Sequence, residues 1–296
     1  MKVRFSCVVD QHPRFGRQAF VWASSLLTYG GANPDSLVIH TVGEYHGEYR
    51  KVFDDWGIEM RVVEGFDSRH PPSNKLAQLE SEALQSADYA VLFDCDVAFC
   101  GDISSWITGD AIRARIASAG GPPPAQWIKI LTQAALPTPS VWVEALATRK
   151  STLPTYVNGG FYVIPRALFH QLREVWPRWN RWVLEHEQLI RPYAKLTDQI
   201  SFAMTCQELN LSVTHLPVEL NLDTVYLPAG SNTLPGTGVH PVVLHYHRLN
   251  LEGLLRSTKV PSIDRQVRKI NNLIRLAEQV NFDRASVMLL REKQVA

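Results

Sequence analysis

Short apolar runs and helix-period segments alternate along the first hundred residues. VRFSCVVD, SLVIHTV, IEMRVV and YAVLFDCDVAF read as strands, with helical periodicity over about 17–27, 49–56 and 75–84 between them. Strands this uniformly apolar are covered on both faces, and strands joined by helical crossovers pair in parallel. The pattern predicts an α/β domain with a mainly parallel sheet flanked by helices and ligands at the carboxyl ends of its strands. From about 113 to 153 the period fades into GGPPPAQW and ALPTPSVW, where prolines remove donors, so an inserted loop region over about 105–155 is expected. YVNGGFYVI then reads as a strand, Pro165 opens a helix to about His186, and a second helix covers Thr197 to Leu209. LSVTHLPVEL and VVLHYH carry strand signals, with the loop AGSNTLPGTG before the latter. In the last segment Val267, Ile270, Leu273, Ile274 and Ala277 recur at helical spacing. The expected organisation is one domain over 1–260 and a docked helical extension over 261–296.

Composition narrows the partners. Over 296 residues, 30 Lys+Arg face 29 Asp+Glu, which leaves no excess charge to attract nucleic acid. Every long apolar run is broken by charge or proline, so no membrane span is expected, and the first apolar stretch is too short for a secretory signal. Cys7, Cys95, Cys100 and Cys206 are too sparse for a disulfide framework, and a cytoplasmic location is expected.

Chemistry concentrates in four places. Asp94 and Asp96 follow four apolar residues, and side chains two apart in an extended segment share a face, so two carboxylates converge at a strand end. Charge at the edge of a core is costly unless it is paired or metal-bound, and paired hard oxygens suit Mg²⁺ or Mn²⁺ shared with a diphosphate. His245 and His247 also sit two apart, and one imidazole would tilt such a site toward Mn²⁺. Gly159 and Gly160 inside a β-rich run point to a close backbone approach or a bulge, with Asn158 beside them to meet sugar hydroxyls. Thr197 heads a helix whose first turn holds Asp198 and Gln199. Trp176, Trp179 and Trp182 at helical spacing read as core, whereas Trp127 and Trp142 in the expected loops are candidate acceptor contacts. The 113–153 region and the loop around Gly236 are candidate lids.

FDCDVAF with GDISSW behind it, the NGG segment, the TDQ helix start and the late HYH together resemble the GT-A fold sugar-nucleotide transferases, nearest to the glycogenin and lipopolysaccharide galactosyltransferase type. The resemblance implies a retaining hexosyltransferase that uses Mn²⁺ (or Mg²⁺) and a nucleoside diphosphate sugar, of which a UDP-sugar is the expected form, with a glycan, lipid or small molecule as acceptor. It assigns Asp94, Asp96 and His245 to the metal, Asp10 to the nucleotide base and Lys75 to donor phosphate or sugar. Asn158 and Gly159 fall near the donor sugar, and Asp198 and Gln199 face the reacting sugar. The family's Lys-Pro-Trp run after its His-Tyr pair is missing, so Arg248, Arg256 or Lys259 is expected to replace that cation. Ile200 stands where a third acid is usual.

Three other protein classes share parts of this pattern. A haloacid-dehalogenase-type phosphatase also ends a strand with Asp-x-Asp, but near its N-terminus and before a Thr, whereas Ala98 stands here. A silent binding module would be expected to lose the carboxylate pair or the His. A dinucleotide enzyme needs its Gly-rich turn after the first strand, while the G-x-G here is Gly236 and Gly238.

Overall fold

Residues 3–63 fold as the alternation predicts, into β1 (Val3–Val9), α1 (Pro13–Thr28), β2 (Leu37–Val42), α2 (Arg50–Trp56) and β3 (Glu59–Val63). The computed structural model describes residues 1–118, 121–227 and 240–279. Helix α1 begins before the expected Arg17. Pro13 occupies its first turn, where a missing N–H costs nothing, and the His12 ring accepts the Arg14 N–H at 3.2 Å.

The next segment departs from the predicted α-helix over 75–84. It is a 3-10 helix (Pro71–Glu80) followed by one turn, α3 (Glu82–Gln85). Gln78 explains the tighter winding. Its amide donates back to the Lys75 carbonyl at 2.8 Å, while its Oε1 accepts the Ser6 hydroxyl at 2.7 Å inside the core.

After β4 (Tyr89–Phe93) and β5 (Val97–Phe99), the expected insert proves to be structured. It contributes β6 (Ile112–Ile116), α4 (Pro124–Gln133) and the short β7 (Val143–Glu144) and β8 (Ser151–Thr152). Pro124 opens α4, which runs to Gln133, and the segment beyond it is irregular apart from the two short strands. The loop expectation is thereby corrected, and so is the acceptor role of Trp127. That ring is buried in α4, donates to Thr152 Oγ1 at 3.2 Å and packs edge-on against Tyr156. Trp142 is partly buried and packs on the same cluster. The loop around Gly236, the other candidate lid, lies outside the described residues.

The chain continues through β9 (Val157–Pro165), α5 (Arg166–Glu185), α6 (Glu187–Ile190), α7 (Thr197–Glu208), β10 (Val213–His215), β11 (Leu220–Asp223), β12 (Val243–His245) and α8 (Pro261–Gln279). LSVTHLPVEL splits at Pro217, sending β10 to the main sheet and β11 to a smaller one. The seven-stranded sheet has the order β10-β6-β9-β4-β1-β2-β3 and is parallel except for β9, which runs against both neighbours. The three-stranded sheet β11-β12-β5 sits at its carboxyl-end side and carries the late histidines to the Asp-x-Asp segment.

One face of the main sheet packs on α1 and α2. Ile263, Val267, Ile270, Leu273, Ile274 and Ala277 of α8 are buried in that same cluster, and Lys269 Nζ donates to the Cys100 carbonyl at 2.9 Å. The other face packs on α5 and α7 through Phe169, Leu172, Trp176 and Phe202. Trp176 and Trp179 are buried as expected of core. No helix of the described residues is long and apolar enough to cross a membrane.

Candidate active site

Asp94 and Asp96 lie in the turn between β4 and β5, while Cys95 between them is buried beside Gln18. The apolar strand therefore ends with its two carboxylates on one side, at the mouth of a cavity of about 440 Å³. β12 runs antiparallel to β5, and the Tyr246 N–H donates to the Asp96 carbonyl at 3.0 Å. This pairing fixes His245 beside the acids: its Nε2 is 3.2 Å from Asp96 Oδ1 and 3.8 Å from Asp94 Oδ2.

The double glycine makes room on both sides. A Cβ on Gly160 would lie 2.6 Å from His245 Nδ1, and one on Gly159 would lie 2.8 Å from both Lys75 Nζ and Asp198 Oδ2. Close approach and bulge coincide, because the β6–β9 register shifts beside these residues. Asn158 Oδ1 accepts the Gly160 N–H and the Asn221 amide, each at 2.9 Å, and faces His245 Nδ1 at 3.2 Å. An amide oxygen has no proton to give, so Nδ1 carries the hydrogen and Nε2 is the atom presented to the carboxylates.

Lys75 links the two ends of the site. Its Nζ is 2.6 Å from Asp94 Oδ1 and 2.8 Å from Asp198 Oδ2. Asp198 is almost fully buried, and Gln199 lines the cavity next to it. Asp10, at the end of β1, also lines the cavity and accepts the Asn74 amide at 3.1 Å.

Burial opposes every charge here, and the neighbours decide the outcome. It raises Asp94, and the adjacent Asp96 raises it further against the pull of Lys75. Asp96 itself is held at about 2, because the attraction of His245 outweighs the cost of burial. His245 is raised, since burial alone would lower it but Asp96 and Asp94 prevail. Lys75 is raised well above its ordinary value by Asp198 and Asp94, again against burial.

The resemblance implied a cation at Arg248, Arg256 or Lys259. All three are exposed, and none lines the cavity. His247 adopts a left-handed φ of 56°, which reverses the chain just before Arg248. The cavity-lining cations are instead Lys75, Arg14 and Lys195.

Asp223 was missed altogether. It is buried at the end of β11, lies 3.0 Å from His247 Nε2, and is held at about 2, where burial is outweighed by the His247 contact. The signal is present in LNLD, an acid closing an apolar run like Asp94, just beyond the strand expected over LSVTHLPVEL. Asn74, Asn221 and Tyr226 also join the site without a local signature.

Asp96, His245 and His247 each offer a ligand atom within 4.8 Å of the others, a grouping able to hold a metal ion. A mainly parallel sheet with an Asp-x-Asp turn at its carboxyl edge and a late histidine beside it is the arrangement of the GT-A fold. Similar solved structures have this fold. The glycosyltransferase GlyE of Streptococcus pneumoniae aligns over 95% of this chain at 11% identity and a TM-score of 0.56, and this chain spans 65% of that longer protein. The galactosyltransferase LgtC, solved with donor and acceptor sugar analogues, aligns over 92% of this chain and 95% of its own at 13% identity and a TM-score of 0.54. No curated protein matches in sequence. The chain belongs to the Rhodobacterales glycosyltransferase domain family, whose profile matches residues 6–210. It is a glycosyltransferase, and the phosphatase and dinucleotide readings fall away.

Proposed function

We propose that this enzyme moves a hexose from a nucleoside diphosphate sugar, with UDP as the leaving group, to a glycan, lipid or small-molecule acceptor, with retention of anomeric configuration and dependence on Mn²⁺ or Mg²⁺. The observation that carries this reading is the convergence on one cavity of Asp94, Asp96, His245, Lys75 and the Asp198–Gln199 pair from four separate segments. The donor set fits a divalent cation. The cavity is lined by Asp10, Asp94, Asp96, Asp198 and Asp223, and Asp96 meets imidazoles rather than a lysine or arginine. Asp94, Asp96 and His245 would hold the ion, and when bound it would neutralise charge developing on the leaving diphosphate.

The protein's own groups supply position and charge. Lys75 keeps Asp94 and Asp198 paired and offers a fixed cation next to the diphosphate site. Arg14 and Lys195 at the cavity wall take the place of the cation expected from the C-terminal segment. Asp10, braced by Asn74, is placed to meet the base, and Asn158 and Gly159 border the sugar. Asp198 is poorly suited to act as a free general base, because it is buried and tied to Lys75. Gln199 is an amide and a poor nucleophile. Front-face attack, in which the departing diphosphate accepts the acceptor's proton, is therefore the favoured route. A cytoplasmic location is part of this proposal, in keeping with four buried free thiols.

A panel of nucleotide sugars tested by thermal shift with Mn²⁺ identifies the donor, since a ligand that binds the native state raises apparent stability. Proton NMR of the first-formed product should show the donor's anomeric configuration. An inverted centre would refute retention and return Asp198 to the role of base.

A further inference from the structure

The three-ligand set assigned above does not use His247, yet this residue is built into the same cluster. Its ring stacks on that of His245 with centroids 4.1 Å apart, and its Nδ1 lies 4.0 Å from Asp96 Oδ2. Its Nε2 lies 3.0 Å from Asp223 Oδ1, close but off the line of a hydrogen bond. Asp223 cannot drift away, because the same oxygen accepts the N–H groups of Val225 and Tyr226 at 2.9 and 2.8 Å.

The two histidines face comparable partners, although His245 is buried and His247 is partly exposed. Each has one ring nitrogen facing a fixed acceptor, Asn158 for His245 and Asp223 for His247, and the other nitrogen facing Asp96. A ring nitrogen held by an outer acceptor fixes the tautomer and makes the opposite nitrogen a better donor to a metal. His247 has φ 56°, a left-handed conformation in which asparagine, aspartate and histidine are the non-glycine residues most often found.

We propose that His247, oriented by Asp223, is a second imidazole donor to the ion, and that it biases the site toward borderline transition ions such as Mn²⁺ and Co²⁺ over Mg²⁺. This inference rests on the metal-dependent reading above. Nitrogen donors strengthen along the first-row transition series and add little for Mg²⁺, so the second imidazole separates the two classes of ion.

The test is titration of the full chain with Co²⁺ alone and with Mg²⁺ alone, without nucleotide, followed by calorimetry and by the visible absorption of Co²⁺. His247→Asn retains a residue that tolerates the left-handed backbone, and His247→Ala is the second variant; a thermal melt verifies that each folds. Both should lower Co²⁺ affinity by about tenfold or more and move its absorption to lower energy, leaving Mg²⁺ binding nearly unchanged. Asp223→Asn should produce a smaller loss in the same direction. Unchanged Co²⁺ affinity and spectrum in folded His247 variants would overturn the inference while leaving the three-ligand site intact. Failure of the unaltered chain to bind either ion would overturn the metal-dependent reading, and this inference with it.

Discussion

Two buried histidines, His40 on β2 and His245 on β12, have opposite electrostatics. They are 0% and 4% exposed, so burial alone treats them alike. His40 Nδ1 meets the Ser6 hydroxyl at 2.9 Å, and Ser6 donates on to Gln78, a neutral chain with Arg61 on the neighbouring strand. Burial, reinforced by Arg61, lowers His40 to about 3. At His245 the same burial is overcome by Asp96 and Asp94, and the value rises. A buried imidazole with neutral partners is a packing element that stays uncharged. One facing several acids holds a proton that a metal ion can replace.

The largest test removes the acids from one side of this contrast. Asp96→Ala should lower Mn²⁺-dependent affinity for nucleotide sugar by more than about 100-fold with little loss of fold, since outer-sphere partners alone account for up to that factor. Undiminished affinity by calorimetry would show that His245 is as structural as His40.

Next in size is the acid response of His40. The unfolded chain binds this proton near the ordinary histidine value of 6.5, whereas the folded chain resists to about 3, so stability is full above 6.5 and falls as pH drops. Between pH 6.5 and about 5 the loss amounts to about 2 kcal/mol. His40→Asn should flatten this decline in urea melts recorded across that window. His245 has the opposite sign in the metal-free protein. Its raised value contributes stability that is present below 6.5 and lost as pH rises through the folded value, so His245→Asn should weaken the protein selectively in acid.

Asn158→Ala sharpens the contrast at the level of a single acceptor. It leaves Asp94, Asp96 and His245 in place but frees Nδ1, and should cost about tenfold in Mn²⁺ affinity. Equal affinity would mean that β12 pairing alone orients the ring.

The smallest effect is graded. An ion must displace the proton that His245 holds, so Mn²⁺ affinity should rise with pH by at most about tenfold per unit below the raised value and level off above it. A flat profile by calorimetry would indicate that His245 is not a ligand.

Much of the architecture was legible locally. Apolar runs of strand length separated by helix-period segments determined the parallel half, and the i, i+2 spacing of Asp94 and Asp96 placed two carboxylates together before any long-range contact was known. Gly159 and Gly160 announced a close approach. The same reasoning failed where a residue's meaning depends on its neighbour in space. Prolines hid β6 and α4, because Pro124 at a helix start and Pro within a loop look alike in one dimension. Trp127 was read as a contact for substrate, and only α4 docking on Tyr156 made it core.

The site divides in the same way. Sequence by itself determined which residue types end strands, and hence where charge must meet the edge of the core. Tertiary structure decided which charges meet: Asp223 and His247 are 24 positions apart in sequence yet lie 3.0 Å from each other, and Lys75 reaches both Asp94 and Asp198. Local pattern follows from backbone geometry within a few residues, whereas charge pairing falls off with distance through space and is indifferent to separation along the chain.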